Sequence, residues 1–190
     1  MVSLVRDLST VAHADAHPTP LVRSLPPPVT ADLACAGERR TRCASETRRF
    51  GRQLAAALRP GDLVALEGDL GTGKTCLVQG ICGGLGVDEV VNSPTFVLLN
   101  VYEGTGEASG LQIYHFDLYR LETVDELAEI GADQFFHEAD AVTLVEWADR
   151  LPELLPRERW RIELRYGEQE QERRIRWRRP DTGPAPGRDA

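Results

Sequence analysis

Eight consecutive residues, Gly68 to Thr75, read GDLGTGKT and match the pattern GxxxxGK[ST] at Gly68, Gly73, Lys74 and Thr75. Few sequence features restrict a fold so tightly. The backbone must curl until several N–H groups point inward at one anion, which calls for glycine where φ is positive or where a side chain would collide. Gly71 is a third glycine serving that curl. Such a loop works only between a buried strand and a helix. That context is present: Leu63 to Leu66 is a short apolar strand, and Lys74 to about Cys82 reads as a helix ending at Gly83-Gly84. The helix start adds its positive dipole end, Lys74 reaches the β and γ phosphates of a nucleotide, and the Thr75 hydroxyl is a ligand for Mg²⁺. The expected cofactor is therefore a Mg²⁺-nucleotide.

Length and composition limit what surrounds this loop. A chain of 190 residues with 42% hydrophobic and 27% charged residues suits one soluble domain. No apolar stretch approaches the ~20 residues that cross a bilayer. The N-terminal apolar run is broken by Arg6, Asp7 and Asp15, so it fails as a secretory signal, and a cytoplasmic location is expected. The cysteines at 35, 43, 76 and 82 form no CxxC pair, which argues against a zinc site. A net charge of −8 argues against holding nucleic acid through the overall field, and no stable DNA binding is expected. Of 22 basic residues, Lys74 is the one lysine. A guanidinium cannot replace a compact ammonium packed between phosphates.

The fold class expected is α/β: a P-loop NTPase-like mixed sheet with flanking helices and antiparallel marginal strands. Residues 1–36, with PTPLVRSLPPP, and 180–190, with GPAPG, read as disordered extensions, leaving 37–179 as the P-loop domain. Within it, Ser45 is expected to cap a helix running to about Leu58. Phe96 to Tyr102 and Leu111 to Phe116 read as a hairpin, Thr123 to Ile130 as a short helix, and Ala141 to Val145 as a strand buried on both faces. Arg161 to Tyr166 and Arg173 to Trp177 alternate as an antiparallel pair.

A metal-bound triphosphate needs a carboxylate at the end of a strand beside the loop. Glu146 follows the apolar run AVTLV and Asp117 follows IYHF, so each is a candidate for the metal or for aligning the attacking water. Thr95, in Asn92-Ser93-Pro94-Thr95, lies where a segment sensing the γ-phosphate would sit. Guanine-specific P-loop proteins use an Asn-Lys-x-Asp element, which the single lysine precludes, so ATP is the expected nucleotide.

The segments GDLGTGKT, NSPTF, YHFDLYRL, DELAEIG and VEWADRLPELLP, in this order and at these separations, resemble the TsaE (YjeE) family over about residues 38 to 178. The resemblance implies a small P-loop ATPase acting with the TsaB and TsaD proteins in forming N6-threonylcarbamoyladenosine at position 37 of tRNA, with tRNA met indirectly through that complex. It implies phosphate contacts from Gly71, Thr72, Gly73, Lys74 and Thr75. Cys76 follows where the family commonly has Thr, and this puts in doubt only a possible extra contact. It further implies Glu146 as metal ligand with Thr75, Asp117 as the carboxylate of catalysis together with Lys74 and Glu146, Thr95 as the switch-like threonine, and Thr47 near the adenine. Trp147 matches a tryptophan beside the acid, in packing or partner contact. Residues 101 to 150 hold 12 Asp or Glu against 2 Arg, which suits a basic partner or a merely solvated surface. Two other readings remain: a small-molecule kinase, for which 118 to 145 offers only Arg120 as a lid arginine, and a binding switch in which hydrolysis is incidental.

Overall fold

The computed structural model describes residues 33–129 and 131–180. Seven strands form one sheet: β1 (Ala36–Thr41), β2 (Leu63–Glu67), β3 (Leu99–Glu103), β4 (Gln112–Asp117), β5 (Ala141–Glu146), β6 (Trp160–Tyr166) and β7 (Arg173–Arg178). Their spatial order is β1-β7-β6-β2-β5-β4-β3. β6, β2, β5 and β4 run parallel, whereas β1, β7 and β3 are antiparallel to their neighbours. The fold is P-loop NTPase-like, with the expected antiparallel margins.

Three helices, α1 (Ala44–Ala55), α2 (Lys74–Gly84) and α3 (Val124–Glu129), flank the sheet. α1 and α2 pack on one face, where Phe50, Leu54, Leu77 and Ile81 meet Val64, Leu144, Ile162 and Ile175. Period-two alternation sends the intervening residues Leu63, Ala65, Phe116 and Val145 to the other face, against Leu127, Phe136 and Leu151. That second layer covers β2, β4 and β5 but not β6, β7 or β1. β2 and β5 are buried on both faces, which is why they read as unbroken apolar runs. Among the described residues, no helix is long and apolar enough to cross a membrane.

Several expected boundaries shift. Cys43, not Ser45, is the N-cap of α1, without a side-chain cap bond, and Glu46 instead accepts the Arg42 amide. The helix ends at Ala55 rather than Leu58. α2 continues through Gly83 and Gly84, turning at Leu85. Phe96 to Leu98 is not strand: Pro94 O accepts the amides of Val97 and Leu98, and this turn carries Leu98 to a φ of 68°. β1 was not expected at all. The boundary at residue 37 falls inside it, Leu33 packs on the core, and Ala34 O accepts the Trp177 indole N–H. Residues 1–32 and 181–190 of the expected extensions, and Ile130 of the expected helix, lie outside the described residues.

Candidate phosphate and metal site

The loop after β2 is held in its curl by residues at both its ends. Gly68, Gly71 and Gly73 have φ of 135°, 77° and 96°, the conformation that the sequence pattern called for. A Cβ on Gly68 would meet the Leu164 carbonyl of β6, so the first glycine is fixed by packing as well as by dihedral. Thr72 is fully buried, its hydroxyl donating to Asp69 O at 2.8 Å. Its side chain therefore ties the loop together instead of facing a ligand. Outside the motif, the Tyr166 hydroxyl donates to Leu70 O, Arg173 donates to Gly71 O at 3.2 Å, and the guanidinium of Arg173 lies over the Tyr166 ring. Both brace the loop from β6 and β7.

Lys74 Nζ donates to Gly68 O at 2.6 Å and Asp69 O at 3.0 Å and sits 3.5 Å from the centroid of the Trp147 ring. Burial pulls the Lys74 pKa below the usual lysine value, opposed by the negative field of Glu146, Asp149, Asp117 and Asp69. Trp147 stacks tilted on Tyr119 and has a φ of 60°, uncommon for a bulky residue, immediately after Glu146.

The two acids meet as the sequence implied. Asp117 and Glu146 are register partners on the adjacent parallel strands β4 and β5, and both are buried. The Thr75 hydroxyl donates to Glu146 Oε2 at 2.9 Å. Asp117 Oδ2 accepts the hydroxyls of Ser93 at 2.6 Å and Thr95 at 2.7 Å, and its Oδ1 accepts the Tyr119 amide at 3.0 Å. Gly71, Gly73, Lys74, Thr75, Thr95, Asp117 and Glu146 line one cavity of about 370 Å³, with Ser93, Tyr119 and Trp147. Among the described residues no cluster of three or more His, Cys, Asp or Glu could hold a metal. The donor set fits Mg²⁺ nonetheless, because that ion is commonly held by one or two carboxylates, phosphate oxygens and water.

Thr47 and Cys76 do not reach this cavity. They line a neighbouring one of about 350 Å³ with Cys43, Ala44, Gln171 and Arg173, and Gly73 is the residue shared by both. Thr47 is buried and its hydroxyl pairs with that of Thr41 at 2.8 Å. The Cys76 Sγ donates to Ala44 O at 3.3 Å, and burial pushes its thiol pKa up. Two residues escaped the sequence reading. Ser93 needed the fold to bring it to Asp117, whereas His115 had a legible signal: two positions before Asp117 in a strand, it points to the same face. Its Nε2 lies 2.9 Å from Glu146 Oε1.

A curled glycine loop between the parallel strand β2 and helix α2, beside acids closing β4 and β5, defines a P-loop NTPase-like protein. The description "Threonylcarbamoyl adenosine biosynthesis protein TsaE" matches residues 41–175, and the chain belongs to the TsaE family. It is 44% identical over 128 residues to the Bacillus subtilis tRNA threonylcarbamoyladenosine biosynthesis protein TsaE, covering 67% of this chain and 77% of that one. The Treponema pallidum protein of the same description is 39% identical over 125 residues, covering 66% and 88%. The crystal structure of Bacillus subtilis YdiB superposes with a TM-score of 0.61 at 35% identity, over 75% of this chain and 84% of that one. The family's role in threonylcarbamoyladenosine biosynthesis accordingly applies to this chain.

Proposed function

We propose that the chain binds Mg²⁺·ATP and hydrolyses it in the cytoplasm in support of a TsaB–TsaD assembly, which itself forms the threonylcarbamoyl product on tRNA. The observation that carries this reading is the contact between Thr75 and Glu146, 71 positions apart in the chain and brought together at the same end of the parallel strands, beside Lys74 and Asp117 in one cavity. The amides of Gly71 to Thr75 and the ammonium of Lys74 would hold the phosphates, with Thr72 contributing through its main chain. Thr75 and Glu146 would hold Mg²⁺, which neutralises charge on the phosphoryl oxygens when bound. The second cavity, across Gly73, is the place for the adenosine, with Thr47 and Cys76 on its wall. Supporting ATP over GTP is the commitment of the only lysine to the loop.

Asp117 is the group to orient or deprotonate the attacking water. Its Oδ2 accepts the hydroxyls of both Ser93 and Thr95 and its Oδ1 only the Tyr119 amide, so water can bond Oδ1 directly or take the place of a hydroxyl on Oδ2. Thr95 is the one to leave, turning its hydroxyl toward the γ-phosphate. Exchange between Asp117 and phosphate makes the Ser93–Thr95 segment a sensor of the nucleotide. Among the described residues lining this cavity none is an arginine, which supports slow turnover alone, faster with partners, and keeps a switch role in view. The kinase alternative gains nothing, since Arg120 lies over Phe96 at 4.3 Å.

The test is reconstitution: the full chain, TsaB and TsaD proteins, tRNA, ATP and Mg²⁺. Product formation that needs this chain, and ATP-dependent capture of TsaB and TsaD by it, are expected. Product formed equally well without the chain would overturn the proposal.

A further inference from the structure

The second face of β6, β7 and β1 carries no apolar layer, and its side chains are almost all arginine or glutamate. They divide into two populations. Toward the P-loop end, Arg165, Arg174 and Arg176 are paired with Glu163, Glu168 and Glu38. At the opposite end, Arg157, Arg159, Arg161, Arg178 and Arg179 line an open groove of about 790 Å³, and none has a carboxylate within ion-pair distance among the described residues.

This second population is arranged at a cost to the free protein. Arg161 and Arg178 are direct cross-strand partners on β6 and β7, an alignment that sets like charges side by side. Arg159 is buried: its Nη1 donates to Leu155 O and Pro156 O, its Nε has no hydrogen-bond partner, and its pKa is lowered by burial and then by the charge of Arg161. Glu67, the one lining carboxylate without an arginine bond, is itself pushed up by burial and by Asp149. With Arg176 also in the lining and Arg179 lying over the Trp160 ring, six arginines outnumber the three glutamates Glu38, Glu67 and Glu163, a local positive excess on a protein whose net charge is −8. Guanidinium forks suit phosphate oxygens, and release of counterions from a polyanion would repay the repulsion between neighbours.

We propose that this groove binds the phosphodiester backbone of RNA, and that the chain touches tRNA directly there. The proposal deepens the assignment to tRNA modification and rests on it for the choice of RNA over other polyanions. The groove's lining runs from Arg157 and Arg178 as far as Glu67, beside the P-loop, but shares no residue with the nucleotide cavity, so RNA and nucleotide have separate sites. Three strands about 4.8 Å apart make a trough that takes one backbone strand. Acidic residues concentrated in 101 to 150 would turn the opposite side of the molecule away from the RNA.

The test uses the full chain, an end-labelled unmodified tRNA transcript and fluorescence anisotropy across a KCl series. Arg161→Glu with Arg178→Glu is compared with the milder Arg161→Gln with Arg178→Gln and with Arg49→Glu on α1 as a charge control. The wild type is expected to bind at about 0.1 M salt. Charge reversal should weaken binding by at least about tenfold and lower the slope of log affinity against log salt by about two, the Gln pair less, and Arg49→Glu hardly at all. ATP turnover should stay at the wild-type value in all three, and the Gln pair, relieved of the like-charge contact, should melt no lower than the wild type. No binding by the wild type, or equal binding by the Glu pair, overturns the proposal. Displacement of the RNA by poly-glutamate at equal charge concentration also overturns it, in favour of an acidic protein partner. Lost RNA binding with intact ATP turnover leaves the ATPase assignment standing, and the converse leaves the groove standing.

Discussion

His115 Nε2 lies 2.9 Å from Glu146 Oε1, with the imidazole fully buried beneath the carboxylate that lines the cavity. With Thr75 on the other oxygen, the Glu146 carboxylate is fixed at both ends. A carboxylate so placed does not need to reorganise when a metal arrives, and removing such a positioning partner typically costs 10–100-fold in affinity or activity. His115→Ala should therefore raise the Mg²⁺ concentration needed for half-maximal ATP turnover by about tenfold or more. His115→Gln, which can still donate a hydrogen bond, should recover part of the loss. Identical Mg²⁺ dependence in wild type and His115→Ala would show that Glu146 needs no such support.

Lys74 gives a pH dependence with a definite sign. Phosphate binding needs its ammonium charged, and burial has lowered its pKa from the lysine value of 10.5. Nucleotide affinity should fall as pH rises through the lowered pKa, earlier than an ordinary lysine would allow. Proton linkage to folding runs the other way. The unfolded chain binds this proton more tightly than the folded one, so the lysine's contribution to stability improves as pH climbs toward 10.5. Nucleotide titrations at a series of pH values, paired with denaturant melts, separate the two. Parallel trends would contradict the burial argument.

The helix pair carrying the loop depends on two glycines outside the motif. A Cβ on Gly51 would lie 2.5 Å from Leu77 O, and one on Gly80 would collide with the Arg48 carbonyl, so α1 and α2 approach backbone to backbone. Gly51→Ala and Gly80→Ala should each destabilise the chain by about 1–3 kcal/mol. Urea denaturation checks this. Because α2 begins at Lys74, shifting it should also weaken nucleotide binding.

The centre of the fold was legible because its signals are local. β2 and β5 are short apolar runs, and the loop between β2 and α2 needs glycines at positions that only glycine fills easily. Elements that depend on distant partners were not. AGERRT has no apolar face, and β1 exists because it pairs with β7, from far along the chain, whose Trp177 also donates to Ala34 O just ahead of the strand. Phe96 to Leu98 has strand-forming side chains, yet the turn at Pro94 claims their amides. The cap of α1 was misplaced because Cys43 and Ser45 are both short and polar and the deciding contact is Glu46 with the Arg42 amide. Of the site, Lys74, Thr75, Asp117 and Glu146 followed from pattern and strand ends. The side-chain role of Thr72 did not, since its burial beneath the loop is visible only in three dimensions.

The central claim is that Thr75 and Glu146 form the metal end of an ATP-hydrolysing site that a TsaB–TsaD assembly stimulates. Glu146→Gln keeps the size and the ability to accept from Thr75 but removes the negative charge. Steady-state Mg²⁺-dependent ATP hydrolysis, measured for wild type and Glu146→Gln with and without TsaB and TsaD, tests it most directly. The account predicts slow turnover by the wild type alone, clear acceleration by the partners, and a loss of about a hundredfold or more in Glu146→Gln under both conditions with nucleotide still bound. Equal turnover by Glu146→Gln and wild type, or hydrolysis indifferent to Mg²⁺ and to the partners, would contradict it.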